Sequence, residues 1–322
     1  MATNASCCGL GVPPATPAAN QSSSFCQQVF IQPEVFLGLG LVSLLENVLV
    51  VAAVASNANL HSPMYFFLCS LAVADMLVSL SNALETVVIA AVNGRYLAWD
   101  DRVLQQMDNV FDSMICISLV ASVCNLLAIA VDRYVTIFYA LRYHSIMTAR
   151  RAAAVIAAIW AGCGVCGVVF IVYSDSKTVV LCLVALFLAM LLLMATLYVH
   201  MCLFARLHAR RIAALPPARA PADAAAAAAA PRPCSRLKGA LTVSLLLGAF
   251  LLCWGPFFLH LLLIIACPKH PACVCYTAHF NAYLVLIMCN SVLDPLIYAF
   301  RSPELRKTFT HILCGCSGLH LG

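Results

Sequence analysis

Three carboxylates carry the clearest chemistry in this 322-residue chain: Glu85, Asp108 and Asp112. Asp108 and Asp112 are four apart, which puts both on one face if the segment is helical. Acids gathered in this way have three readings that spacing alone leaves open. They can be solvated interface groups, they can receive a cationic ligand group, or they can coordinate a hard divalent ion such as calcium. Zinc fits poorly, because no clustered Cys/His set accompanies them. A second charged set follows in Asp132-Arg133-Tyr134. On one helix, Asp108 and Asp132 would stand roughly 36 Å apart. A bilayer hydrocarbon core is about 30 Å thick. A modestly tilted rod from Met107 to Tyr139 therefore holds acids near both faces.

The elements that must position these groups are legible in the composition. The chain is 63% hydrophobic and only 10% charged, with mean hydropathy +0.96. A soluble domain of this length needs far more charge to cover its surface. In lipid every backbone group must be paired internally, which leaves helices or a closed barrel. The apolar runs are too long and continuous for barrel strands. The expected fold is therefore all-α, a seven-transmembrane helix bundle with spans at about 35–56, 64–92, 105–139, 152–173, 179–204, 237–266 and 279–300. Residues 1–34 form a tail without a basic start and apolar run, so no cleavable signal peptide is expected. Of the 18 Lys and Arg, all but Arg95, Arg102, Lys177 and Lys269 fall on the side of the C-terminal tail. The positive-inside rule then sets the N-terminus outside and the tail, 301–322, in the cytoplasm. No aromatic-interleaved basic patch points to nucleic acid.

Polar residues inside apolar runs mark the remaining candidates. Span 1 carries Glu46-Asn47 and span 2 carries Asp75, each costly in lipid unless neutral or paired. Asp75 reads either as a packing contact or as a group that tunes a conformational equilibrium. Span 5 contains no proline. Span 6 contains Cys253-Trp254-Gly255-Pro256, where proline predicts a kink and hence a hinge. His260, one turn above, is expected to face the outer vestibule. Between spans 5 and 6 a Pro-Ala-rich stretch, about 212–235, includes the run Ala224–Ala230 and reads as a mobile linker. Cys267 and Cys273 can close a small outer loop, and Cys275 then needs a distant partner such as Cys26. Asn4 and Asn20 head glycosylation tripeptides. After Asp294-Pro295 and Tyr298, residues Pro303–Phe309 read as a short amphipathic helix on the membrane, followed by acylation candidates Cys314 and Cys316.

These motifs, in this order on seven spans, resemble the rhodopsin-like G-protein-coupled receptors over nearly the full chain. The likeness is carried by Leu71-Ala72-Val73-Ala74-Asp75, Asp132-Arg133-Tyr134, Trp160, Cys253-Trp254-Gly255-Pro256 and Asp294-Pro295-Leu296-Ile297-Tyr298. Three departures stand out: Asp108 in place of a common cysteine, Met190 in place of the span 5 proline, and Asp294 in place of asparagine. The same departures resemble one subfamily, the melanocortin receptors. So do His61-Ser62-Pro63-Met64-Tyr65, the run Thr136–His144 and Leu197-Tyr198-Val199-His200-Met201. Cys7-Cys8, Met114–Ser118 and Cys314-Gly315-Cys316 look most like a single subtype within it.

The resemblance implies a plasma-membrane receptor for melanocortin peptides, with agouti-type antagonists as competitors. It implies that Glu85, Asp108 and Asp112 hold Ca2+ jointly with the arginine of a His-Phe-Arg-Trp core. Phe257, His260, Phe280 and Leu284 would form the wall around that core. Bridges Cys267–Cys273 and Cys26–Cys275 are implied as well. So are coupling to the stimulatory G protein, a rise in cyclic AMP, binding of arrestin, and single-pass accessory proteins as partners. Asp75, Asp132, Arg133, Tyr134, Trp254, Pro256, Asp294, Pro295 and Tyr298 would form the activation switch. The expected mechanism is relief of repulsion among the three acids by positive charge, with Arg133 paired to Asp132 at rest. Rival readings are a receptor for another cationic or lipid ligand, a transporter using Asp75, Asp132 and Asp294 as a relay, and a membrane enzyme. The chain shows no repeated half and no nucleophile–base set within a span, which disfavours the last two.

Overall fold

A computed structural model describes residues 31–94, 96, 100–173, 176–213 and 233–317. Among these residues the protein is entirely helical. Seven helices are long and apolar enough to cross a membrane. They are Pro33–Ser56 (span 1), Pro63–Asn93 (span 2), Asp101–Phe138 (span 3), Ala149–Val172 (span 4), Lys177–Ala213 (span 5), Pro233–Ala266 (span 6) and Phe280–Arg301 (span 7). The expected spans fall on these helices, although spans 5 and 6 extend well beyond their apolar stretches on the linker side. Of the linker itself, residues 214–232 lie outside the described part of the chain.

Local sequence explains where several helices begin. Proline occupies the first turn of spans 1 and 2, where its missing N–H costs nothing and its fixed φ suits the helix. Span 4 is capped by Thr148, whose hydroxyl accepts from the Arg151 N–H at 3.3 Å. Shorter pieces, Ala58–Leu60, Ala140–Arg142, Tyr143–Ile146 and Pro271–Thr277, complete the turns.

Span 3 is the axis of the bundle. Within its apolar stretch 72% of residues are buried, against 17% in span 4. It packs on spans 2, 4, 5 and 6, while spans 4 and 5 scarcely meet each other. Because lipid is as apolar as leucine, polar ties between spans matter for holding them together. Ser118 Oγ donates to the Ala74 carbonyl at 2.6 Å, and Trp160 Nε1 donates to Ser70 Oγ at 3.0 Å. Ser113 Oγ donates to the Gly167 carbonyl at 3.1 Å. Glycine eases that approach, since a Cβ at position 167 would meet the Ile117 side chain at 2.5 Å and force it to shift. Asn47 Nδ2 donates to the Ser291 carbonyl at 2.9 Å, tying span 1 to span 7.

The tail helix Pro303–Ser317 is the expected amphipathic element. Leu305 and Thr308 are buried on its inner face, and Arg306 and Lys307 face outward. Asn57 Nδ2 donates to Thr308 Oγ1 at 2.8 Å, so the first inner turn anchors the tail. Cys314 is an exposed free thiol near its end; the side chain of Cys316 is not among those described.

Candidate functional site

Spans 2 and 3 bring Glu85 and Asp112 to the wall of one cavity. Phe257 and Leu261 of span 6 and Phe280 and Leu284 of span 7 close the opposite side. Phe170, Val180 and Leu183 complete it from spans 4 and 5. Two acids therefore face an aromatic and aliphatic wall, an arrangement that suits a ligand with a cationic group beside aromatic ones. Glu85 is only 5% exposed. The charges acting on it are those of Asp112 and then Asp108, both of its own sign. Among the described residues it forms no ion pair with Lys177.

Asp108 is half-buried one turn from Asp112 and does not line the cavity. The donor set has the right chemistry for a hard cation, being all carboxylate oxygen. Among the described residues, however, no three ligating side chains stand close enough together to hold a metal ion. The acids suit calcium by chemical type, and their spacing must tighten to bind one.

His260 packs against the aromatic side chains of spans 6 and 7. It is buried, with its ring 5.0 Å from Phe280 and edge-on to Tyr283 at 5.8 Å, and it does not line the cavity. Its Nδ1 has no hydrogen-bond partner. Phe257 links the cavity to the switch region, because its ring meets Trp254 edge-on at 6.2 Å. Trp254 in turn stacks near Phe250, one turn down span 6, and both are fully buried. Pro256 lies inside this helix, and its carbonyl accepts from Tyr276 OH at 3.0 Å.

Below Trp254 the buried polar residues gather. Ser291 Oγ donates to Asp75 Oδ1 at 3.3 Å, and Asn290 Nδ2 donates to Asp294 Oδ2 at 3.2 Å. Tyr298 is buried near them, and Pro295 sits within span 7. At the inner end Asp132 is 1% exposed, with Arg133 Nε 4.0 Å from Oδ2. Tyr134 stacks on Phe138 at 4.4 Å and on His200 at 5.7 Å. The partner that sequence reasoning missed is Tyr143, whose hydroxyl donates to Asp132 Oδ1 at 2.9 Å. No periodic signal marks it, because it reaches back from a separate short helix.

Cys267 and Cys273 form the expected bridge, with Cα atoms 6.2 Å apart. Cys275 is also disulfide-bonded. Cys26, the partner that the resemblance implies, lies outside the described residues, as do Asn4 and Asn20.

Seven packed helices, each long and apolar enough to cross a bilayer, define a multi-pass membrane protein. The sequence profile of the 7 transmembrane receptor (rhodopsin family) matches residues 46–298. Melanocortin receptor 3 of Homo sapiens is 68% identical, covering 99% of this chain and 100% of the relative. The Rattus norvegicus Melanocortin receptor 3 is 65% identical with the same coverage. Melanocortin receptor 4 of Danio rerio is 62% identical over 92% of this chain and 89% of its own. The chain belongs to the melanocortin receptors, a receptor family and not an enzyme family. The subtype-level likeness carried by Cys7-Cys8 and Met114–Ser118 is to the third subtype, in agreement with the first two relatives.

Proposed function

We propose that this protein is a plasma-membrane receptor for melanocortin peptides, its N-terminus outside, that couples to the stimulatory G protein and raises cyclic AMP. The observation that carries this reading is the meeting of Glu85 and Asp112 with Phe257, Phe280 and Leu284 around one cavity. An arginine placed between the two acids gains charge-assisted hydrogen bonds and relieves like-charge repulsion. Aromatic side chains beside that arginine fit against the opposite wall. Glu85, Asp108 and Asp112 would hold calcium beside the cavity, where it would supply further positive charge.

Binding shifts the equilibrium only through a difference in affinity between resting and active arrangements. Moving from 1:99 to 99:1 needs about 5.5 kcal/mol, a feasible share of a multivalent peptide contact. Pressure on Phe257 passes to Trp254, and span 6 swings at Pro256. The inner end then releases Arg133 from Asp132 and opens the cytoplasmic face to the G protein, and afterwards to arrestin. Agouti-type antagonists compete for the outer cavity, and single-pass accessory proteins meet the lipid-facing spans. The test is a cyclic AMP dose-response to melanocyte-stimulating and corticotropin peptides at several calcium concentrations. A flat response to every peptide, with the receptor at the cell surface, overturns the reading.

A further inference from the structure

The Pro256 carbonyl is met from outside its own helix. Tyr276, next to Cys275 in the outer helix Pro271–Thr277, donates its hydroxyl to that oxygen at 3.0 Å. In a continuous helix the same oxygen accepts from the N–H four residues on, here that of His260. Proline already breaks the ladder at this turn, because it has no N–H for the Leu252 carbonyl and its ring crowds that oxygen. A side chain entering the ladder is, with proline, among the few causes of a sharp helix bend. Both act here on one residue of span 6.

The other end of Tyr276 is held. Tyr283 of span 7 donates its hydroxyl to the Tyr276 carbonyl at 2.9 Å, and the two rings stack with centroids 4.9 Å apart. The helix carrying Tyr276 packs on span 6. Its Cys273 is bonded to Cys267, the residue that follows span 6, and its Cys275 is disulfide-bonded as well. A short helix pinned in this way moves as a unit, and its position reaches Pro256 through one phenol. Tyr276 does not line the outer cavity, so its hydroxyl serves the hinge and not the cavity wall.

We propose that Tyr276 is a positioning residue for span 6: through its hydroxyl the disulfide-held outer helix fixes the turn at Pro256, and with it the balance between two arrangements of the inner end. In this structure Arg133 Nε stands 4.0 Å from Asp132, the arrangement that the activation route above abandons. A bond made in one arrangement and not in the other stabilises the first. The signalling half rests on the functional reading above; the tie between outer helix and hinge does not.

The test is hydrogen exchange, read by mass spectrometry, on the full chain in nanodiscs without ligand. Tyr276→Phe keeps the ring and deletes the hydroxyl. Exchange over residues 257–262 should speed up about fivefold, the share of one hydrogen bond, with span 4 unchanged. Tyr96→Phe, at an outer tyrosine that is 88% exposed, is the control and should leave 257–262 as in the parent. Tyr283→Phe frees the Tyr276 carbonyl from its span 7 donor; it should act in the same direction and decides the matter if the first variant folds poorly. Unchanged exchange over 257–262 overturns the tie, and so does faster exchange in every span, which marks general loosening. In cells, Tyr276→Phe should raise ligand-independent cyclic AMP about threefold at matched surface expression. The dissociation constant of labelled melanocyte-stimulating peptide should stay within about threefold, since no cavity contact is lost. Faster exchange with unchanged basal signal overturns the signalling half, as does a larger change in peptide binding with unchanged basal signal. A parent that answers no melanocortin peptide refutes the functional reading, and the exchange result still decides the tie.

Discussion

The Tyr143 hydroxyl donates to Asp132 Oδ1 at 2.9 Å, closer than Arg133, whose Nε stands 4.0 Å from the other oxygen. The Asp132 carboxylate is thus held by a residue of the connection after span 3 as well as by the neighbouring arginine. Burial, and then the charge of Asp132, push the Tyr143 phenol well above its ordinary range. It therefore stays protonated, and remains a donor, throughout the physiological pH range.

Removing that donor should loosen the latch. A hydrogen bond to a charged group contributes about 1.5–3 kcal/mol, so Tyr143→Phe should raise ligand-independent cyclic AMP several-fold at matched surface expression. Basal signalling equal to that of the parent would show that the contact does not bias the resting state.

The outer acids should be separable by position. Asp112→Ala and Glu85→Gln each remove a cavity-lining carboxylate, and each should weaken peptide potency by about 10- to 100-fold, the span of a lost charge-assisted contact. Asp108→Ala should reduce calcium dependence with a smaller effect on potency, because Asp108 does not line the cavity. Dose-response curves with and without a chelator read both effects. Identical curves under the two conditions would end the calcium proposal and leave the peptide proposal standing.

The contact of spans 3 and 4 at glycine is a point of stability. Gly167→Ala places a Cβ within 2.5 Å of the Ile117 side chain. Overpacking of this kind costs about 1–3 kcal/mol. Thermal unfolding in detergent should move to lower temperature. Gly164→Ala, with nothing within 4 Å, serves as the control and should not move it. Equal melting of the two variants would show that the interface relaxes freely.

Asn47 offers a second structural test. Its amide donates to the carbonyls of Ser43 and Ser291, each at 2.9 Å. Asn47→Leu deletes the tie between spans 1 and 7 and leaves the Ser291 carbonyl without that donor, a loss of about 1–3 kcal/mol. Surface expression and melting temperature should both fall. Recovery by Asn47→Gln is not expected, because the longer amide overshoots the same carbonyl.

Much of the architecture was readable in one dimension because hydropathy, proline and charge act locally. Seven spans, the proline-started helices and the amphipathic tail need no tertiary information; each is a property of consecutive side chains and their solvent. The Cys267–Cys273 bridge was readable for the same reason, since the two lie six residues apart in sequence. Helix periodicity likewise placed Asp108 and Asp112 on one face.

What only the folded bundle decided is which distant groups share a space. Glu85 and Asp112 face one cavity because spans 2 and 3 pack side by side with a particular rotation, while Asp108, on the same face of its own helix, falls outside it. His260 was expected to face the vestibule; it is buried against Phe257 and Phe280 and does not line the cavity. Tyr143 reaches Asp132 from another element. Hydropathy sorts residues between lipid and protein, but rotation about each helix axis is set by close packing against neighbours, and no single segment carries that information.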